Sequence, residues 1–162
     1  KQQLPPYLAG LTDTEGGWHA GSWRYNRPLS KGGKKYYRII YDVTNTNKTL
    51  LEEIRDLLNK YFKIKTYVIL VHKEGEKGRY STKPAYKLRA LGNEAVELAK
   101  LLLPYLKHPE KIERAKLAIK HGIKTLTQEE IQEWRKLREK EKQQTLKDIE
   151  QAKKQYQQKH NP

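Results

Sequence analysis

The chain has 162 residues, no Cys and no Met, and a formal net charge of +15 with a pI near 9.8. Disulfides, thiolate zinc sites and cysteine nucleophiles are therefore excluded, and no apolar run is long enough to cross a membrane. A basic excess of this size calls for a polyanionic partner, with nucleic acid ahead of an acidic membrane surface.

In chain order, Pro5 and Pro6 suit a first helical turn, and a helix is predicted from Pro6 to Thr14. Gly16 and Gly17 are expected to stop it in the left-handed conformation. Trp18 to Tyr25 reads as a strand, residues 27–33 as a basic loop, and Tyr36 to Thr44 as the clearest strand. Tyr37, Ile39, Tyr41 and Val43 alternate on one face of it; Tyr36, Arg38, Ile40, Asp42 and Thr44 alternate on the other. Asn47 is the expected N-cap of a helix from Lys48 to about Tyr61, with Thr49 and Glu52 as a competing capping box. Lys65–Lys73 and Lys83–Leu91 form a hairpin about a turn at residues 74–79. Asn93 is expected to cap a helix through Leu103, which Pro104 breaks. Pro109 opens a further helix ending near Gly122. Thr127 to Glu130 is a capping box that starts a long, very polar helix.

That order predicts an α+β, αββαββα-type domain with a four-stranded antiparallel sheet, helices on one face and DNA on the other, plus a long C-terminal helix. The expected division is a domain over residues 1–124 and a charged helical extension over 125–162. The first residues, Lys1–Pro6, offer no apolar stretch of a secretory segment. With no Cys present, the expected location is intracellular, in the cytoplasm of a prokaryote or in an organelle. The lack of Cys and Met beside many Lys and Glu hints at a thermophile.

The first helix carries the most information. Tyr7, Gly10 and Thr14 share one stripe, and Leu4, Leu8, Leu11 and Thr12 lie on another. The leucines can enter the domain's own core, while Gly10 permits close approach of a second helix. Only one such helix exists per chain, so the second must come from another copy, giving a symmetric dimer. Glu15 falls at the helix C-terminus, where the macrodipole disfavours an anion by roughly 0.3–1 kcal/mol. Two such carboxylates at a seam repel unless a divalent cation lies with them, and Mg²⁺ prefers hard oxygen ligands.

Leu8-Ala9-Gly10-Leu11-Thr12-Asp13-Thr14-Glu15-Gly16 resembles the signature of the LAGLIDADG homing endonucleases, of the single-motif homodimeric type. Thr12 and Thr14 depart from the pattern, and Glu15 stands where the family has its metal-binding Asp. The resemblance implies a metal-dependent, site-specific double-strand DNA endonuclease, intron-encoded and homodimeric, acting on a long, near-palindromic site. It assigns metal binding to Glu15 and the Thr14 carbonyl, with Mg²⁺ or Mn²⁺ as cofactor and Ca²⁺ binding without supporting cleavage. It assigns water positioning to Asn45, and charge neutralisation to Lys48 and Lys111, with Lys107 as the fallback for the latter. The dimer seam is expected to involve Pro6, Tyr7, Gly10, Asp13 and Thr14.

The polar sheet face is expected to read DNA through Tyr36, Arg38 and Asp42, extended by Trp23 and Tyr25, or by Arg24 if the register slips by one. His72, Lys87 and Arg89 join from the later hairpin. Lys34, Lys35, Lys73, Lys77 and Arg79 lie nearer turns and suit phosphate. The competing function is a DNA- or intron-RNA-binding, maturase-like protein that does not cut.

Overall fold

The computed structural model describes residues 2–24, 35–72 and 83–160. It contains α1 (Leu4–Glu15), β1 (Gly16–Arg24), β2 (Lys35–Asn45), α2 (Lys48–Phe62), β3 (Tyr67–His72), β4 (Ala85–Leu91), α3 (Asn93–Leu102), α4 (Pro109–His121) and α5 (Gln128–His160). A 3-10 turn, Leu103–Tyr105, carries Pro104 at the end of α3. The four strands form one antiparallel sheet in the order β1-β2-β4-β3. This is the predicted α+β arrangement.

Alternation along β2 decides which face is covered. Ile39, Tyr41 and Val43 are buried, and Trp18, Leu88 and Ala90 lie in register with them on the neighbouring strands. Leu8 and Ala9 of α1, Leu51, Ile54 and Leu58 of α2, and Leu98 and Leu102 of α3 are also buried. The Trp18 and Tyr41 rings lie 5.1 Å apart, and the Trp18 indole N–H donates to the Ala95 carbonyl at 2.9 Å. This apolar layer between helices and sheet supplies the main driving force for folding.

Local chemistry explains most element ends. Asn47 accepts from the Leu50 N–H at 3.0 Å and caps α2, in place of the Thr49–Glu52 alternative. Thr127 and Glu130 bond each other's backbone N–H reciprocally at the start of α5. Two expectations are corrected. Asn93 is the first residue of α3 and not its cap; Gly92, at φ +56°, occupies that position and turns the chain out of β4. Gly16 is extended, at φ −144°, so no left-handed stop explains it. A Cβ there would lie 2.6 Å from the Asp42 carbonyl oxygen, so β2 passes too close for any side chain.

The chain divides into two compact units, Lys1–Leu126 and Thr127–Pro162. Leu126 stays with the first because its N–H donates to the Tyr37 carbonyl at 2.8 Å. The second unit is almost entirely the 33-residue helix α5, with Leu146, Ile149 and Tyr156 exposed along it. No described helix is long and apolar enough to cross a membrane.

Candidate functional site

The junction between α1 and β1 opens into a shallow cleft of about 400 Å³. Thr14, Glu15, Gly16, Gly17, Trp18 and His19 line one side. Asp42 and Thr44 of β2, Lys87 of β4, and Lys111 and Arg114 of α4 complete it. The Glu15 side chain is exposed, and among the described residues no cation or donor holds it.

The cations reach this place through helix geometry. Lys111 and Arg114, three residues apart, share one face of α4. The Lys111 ammonium donates to the Gly16 carbonyl, and the Arg114 guanidinium to the Trp18 carbonyl at 2.8 Å. A positive charge thus sits just past the C-terminus of α1, where the helix dipole favours it. Gly17 has φ +149°, a conformation that L side chains rarely adopt, and Lys111 Cδ packs at ordinary van der Waals distance, 3.4 Å, from where a Cβ would stand. In return, the Asp13 carboxylate accepts from the backbone N–H groups of Lys107 and His108, at 3.0–3.3 Å, immediately before α4. Anions are favoured at that end of a helix.

The sheet face away from the helices carries a second cluster. Asp42, only 9% exposed, accepts from Arg89 through both oxygens, from Nε at 2.7 Å and from Nη2 at 3.3 Å. His19 Nε2 lies 3.8 Å from the same carboxylate. Burial pushes the His19 pKa below its usual 6.5; Asp42 opposes this, and Arg114, Arg89 and Lys87 add to it. The imidazole is therefore neutral at pH 7.

The expected site residues do not all meet. Glu15, Thr14 and Lys111 share the cleft, and Lys87 joins them from β4. Asn45 and Lys48 are not among the residues lining it. Asn45 Oδ1 accepts from the Asn47 N–H at 2.8 Å, which shapes the turn into α2. Lys48 lies 3.5 Å from Glu52 at i+4, with its ammonium 5.9 Å from the Tyr86 ring centroid. Asp13, expected at the dimer seam, is engaged within its own chain. Asp42, expected to read a base directly, has both oxygens engaged by Arg89. Pro6 and Tyr7 are exposed, Tyr7 by 51%, and a Cβ at Gly10 would meet nothing within 4 Å. The whole Tyr7–Gly10–Thr14 stripe is thus open in a single subunit.

Tyr36 and Arg38 are half-buried on the face away from the helices. Strand register pairs Trp23 with Tyr36 and Arg24 with Lys35, so position 23 shares the Tyr36 row. A bulge after Leu70 brings His72 opposite Ala85. Tyr25, Lys34, Lys73, Lys77 and Arg79 lie outside the described residues. Sequence reasoning missed Arg114; its spacing from Lys111 was the available signal.

No protein-family model and no curated protein matches this sequence. Solved structures do match its shape. The homing endonuclease I-CvuI, bound to its target in the presence of calcium, superposes with a TM-score of 0.52 at 22% identity, covering 74% of this chain and 65% of that one. The same protein in complex with a second target, in the presence of magnesium and with its DNA not cleaved, gives 0.50 at 21% identity and the same coverages. The LAGLIDADG homing endonuclease I-GzeII with its DNA target gives 0.46 at 18% identity, over 72% of this chain and 34% of that one. The chain spans 65% of the length of I-CvuI and has the same α+β fold.

Proposed function

We propose that this chain, built on the fold of the LAGLIDADG homing endonucleases, is a site-specific double-strand DNA endonuclease of the intron-encoded type, acting as a homodimer on a long, near-palindromic site. One observation carries the reading. An exposed carboxylate, Glu15, without a partner among the described residues, ends a helix whose outer stripe is open, in a cleft that also holds Lys87, Lys111 and Arg114. A protein that only binds a polyanion gains nothing from an acid there. Metal-dependent phosphodiester hydrolysis requires hard oxygen donors and neutralising charge together.

The donor set fits a divalent cation shared between two copies. Among the described residues no three His, Cys, Asp or Glu side chains come together. One subunit thus offers Glu15 and main-chain carbonyls, hard oxygens suited to Mg²⁺ or Mn²⁺ but too few to hold either alone. Glu15 and the Thr14 carbonyl are the residues that would hold the ion, completed by Glu15 of a second copy and by phosphate oxygens. When bound, such an ion supplies an activated water and stabilises the leaving oxygen. Lys111 and Arg114, held in place by backbone carbonyls, bring positive charge to the phosphate before DNA arrives. The sheet face supplies base contacts from Tyr36, Arg38 and Arg89.

The test is incubation with a randomised duplex library and Mg²⁺, followed by sequencing of the cut ends. A recurrent cut site is expected, lost in Glu15→Gln while binding is kept. The second reading is a DNA- or intron-RNA-binding, maturase-like protein. It is favoured by the placing of Asn45 and Lys48 outside the cleft, and sequence-specific binding without cutting by the unsubstituted chain would support it.

A further inference from the structure

Asp42 is an acid on the face that the proposed function lays against DNA. Alone it would repel phosphate, and as a base reader it would need a free oxygen. Each oxygen already accepts from Arg89, and the side chain is only 12% exposed, which closes its remaining lone pairs off from a base edge. A guanidinium has five N–H donors in a planar fork. Nε and one N–H of Nη2 face Asp42, which occupies the side of the fork. The end of the fork, formed by Nη1 and the remaining N–H of Nη2, keeps the spacing that matches guanine O6 and N7. Arg89 stays partly exposed on this face, one strand away from Asp42 in direct register.

We infer that Asp42 and Arg89 form one base-reading unit, in which Asp42 is the positioning residue and Arg89 reads a guanine in the major groove of each half-site. The inference rests on the proposed DNA-binding function. The Asp42 carboxylate fixes the guanidinium plane and cancels its charge, so Arg89 discriminates between bases instead of gripping phosphate. Pre-organisation removes the rotamer entropy that a free arginine loses on binding.

The experiment selects bound sites from a random-sequence duplex library with the full chain, with Arg89→Lys and with Asp42→Ala. The unsubstituted chain is expected to enrich one guanine per half-site that both variants relax, with other positions kept. On the selected site, replacing that guanine by 7-deazaguanine should weaken the unsubstituted protein about tenfold and weaken Arg89→Lys less, because the ammonium lacks the two-pronged fork. This last arm needs only one substituted protein and stands even if Asp42→Ala fails to fold. Relaxation at different positions in the two variants, or indifference to 7-deazaguanine, overturns the inference while leaving DNA recognition intact. Failure of the unsubstituted chain to enrich any sequence overturns the proposed function, and this inference with it.

Discussion

Thr12 Oγ lies 2.8 Å from the Tyr41 hydroxyl, and neither side chain reaches solvent. Thr12 also lies 2.7 Å from the Leu8 carbonyl, which can only accept. The threonine proton therefore goes to Leu8, and Tyr41 donates to Thr12. Burial, the larger cause, and the nearby Asp42 charge raise the Tyr41 pKa and keep the phenol protonated, although the Thr12 hydrogen bond pulls the other way. The signature that this helix resembles has an apolar residue here; the tyrosine beneath it explains the polar one.

Thr12→Val removes the acceptor and strands the Tyr41 hydroxyl, at an expected cost of about 1–3 kcal/mol in urea unfolding. Adding Tyr41→Phe should recover much of that loss, because both polar partners are then gone. Additive losses in the double-mutant cycle would contradict the pairing.

Gly10→Leu separates assembly from folding. A Cβ at this position meets nothing within 4 Å among the described residues, so the subunit should still fold, with thermal stability lowered only by the dimer's lost mass-action contribution. The proposed seam, however, needs close helix approach at Gly10. Sedimentation should show single subunits, and cleavage should disappear with the dimer. A dimer that survives this substitution places the interface elsewhere.

Much of this was legible in the sequence, for identifiable reasons. Alternation in β2, interrupted at Ile40, marked its helix-facing side, and Asn47 and the Thr127–Glu130 pair announced their helices through side-chain chemistry that acts within a few residues. What escaped depended on strand register and on distant neighbours. Asp42 looks like a free base reader until β4 places Arg89 beside it. Asp13 looks like a seam residue until the segment before α4 arrives, some ninety residues later. Lys48 was a different matter: Glu52, one turn on, was visible as its partner.

His19 sets a pH dependence. Its folded pKa lies below the unfolded value of 6.5, so the unfolded chain takes up the proton first. This stabilisation is complete above 6.5 and is lost as pH falls from there towards the folded value. Unfolding curves between about pH 7 and pH 5 should show stability declining, and His19→Gln should flatten the decline. An equal slope in both proteins would assign the effect to other groups.

Gly16→Ala tests the contact between β1 and β2. The added methyl collides with backbone, which cannot swing aside, and the expected destabilisation is about 2 kcal/mol or more. Guanidinium unfolding measures it. A neutral result would mean that the strands separate at this point more readily than their register suggests.

Asp13 on α1 grips the start of α4, while Lys111 and Arg114 on α4 grip the chain just beyond α1. These ties are internal to one subunit and need no DNA to form. In the proposed dimer, the adjustable quantity is then the angle at which the two first helices cross. On the proposed function, the offset between the two nicks, and hence the overhang left on the broken ends, would be set by the outward stripe of α1 and not by the cleft around Glu15.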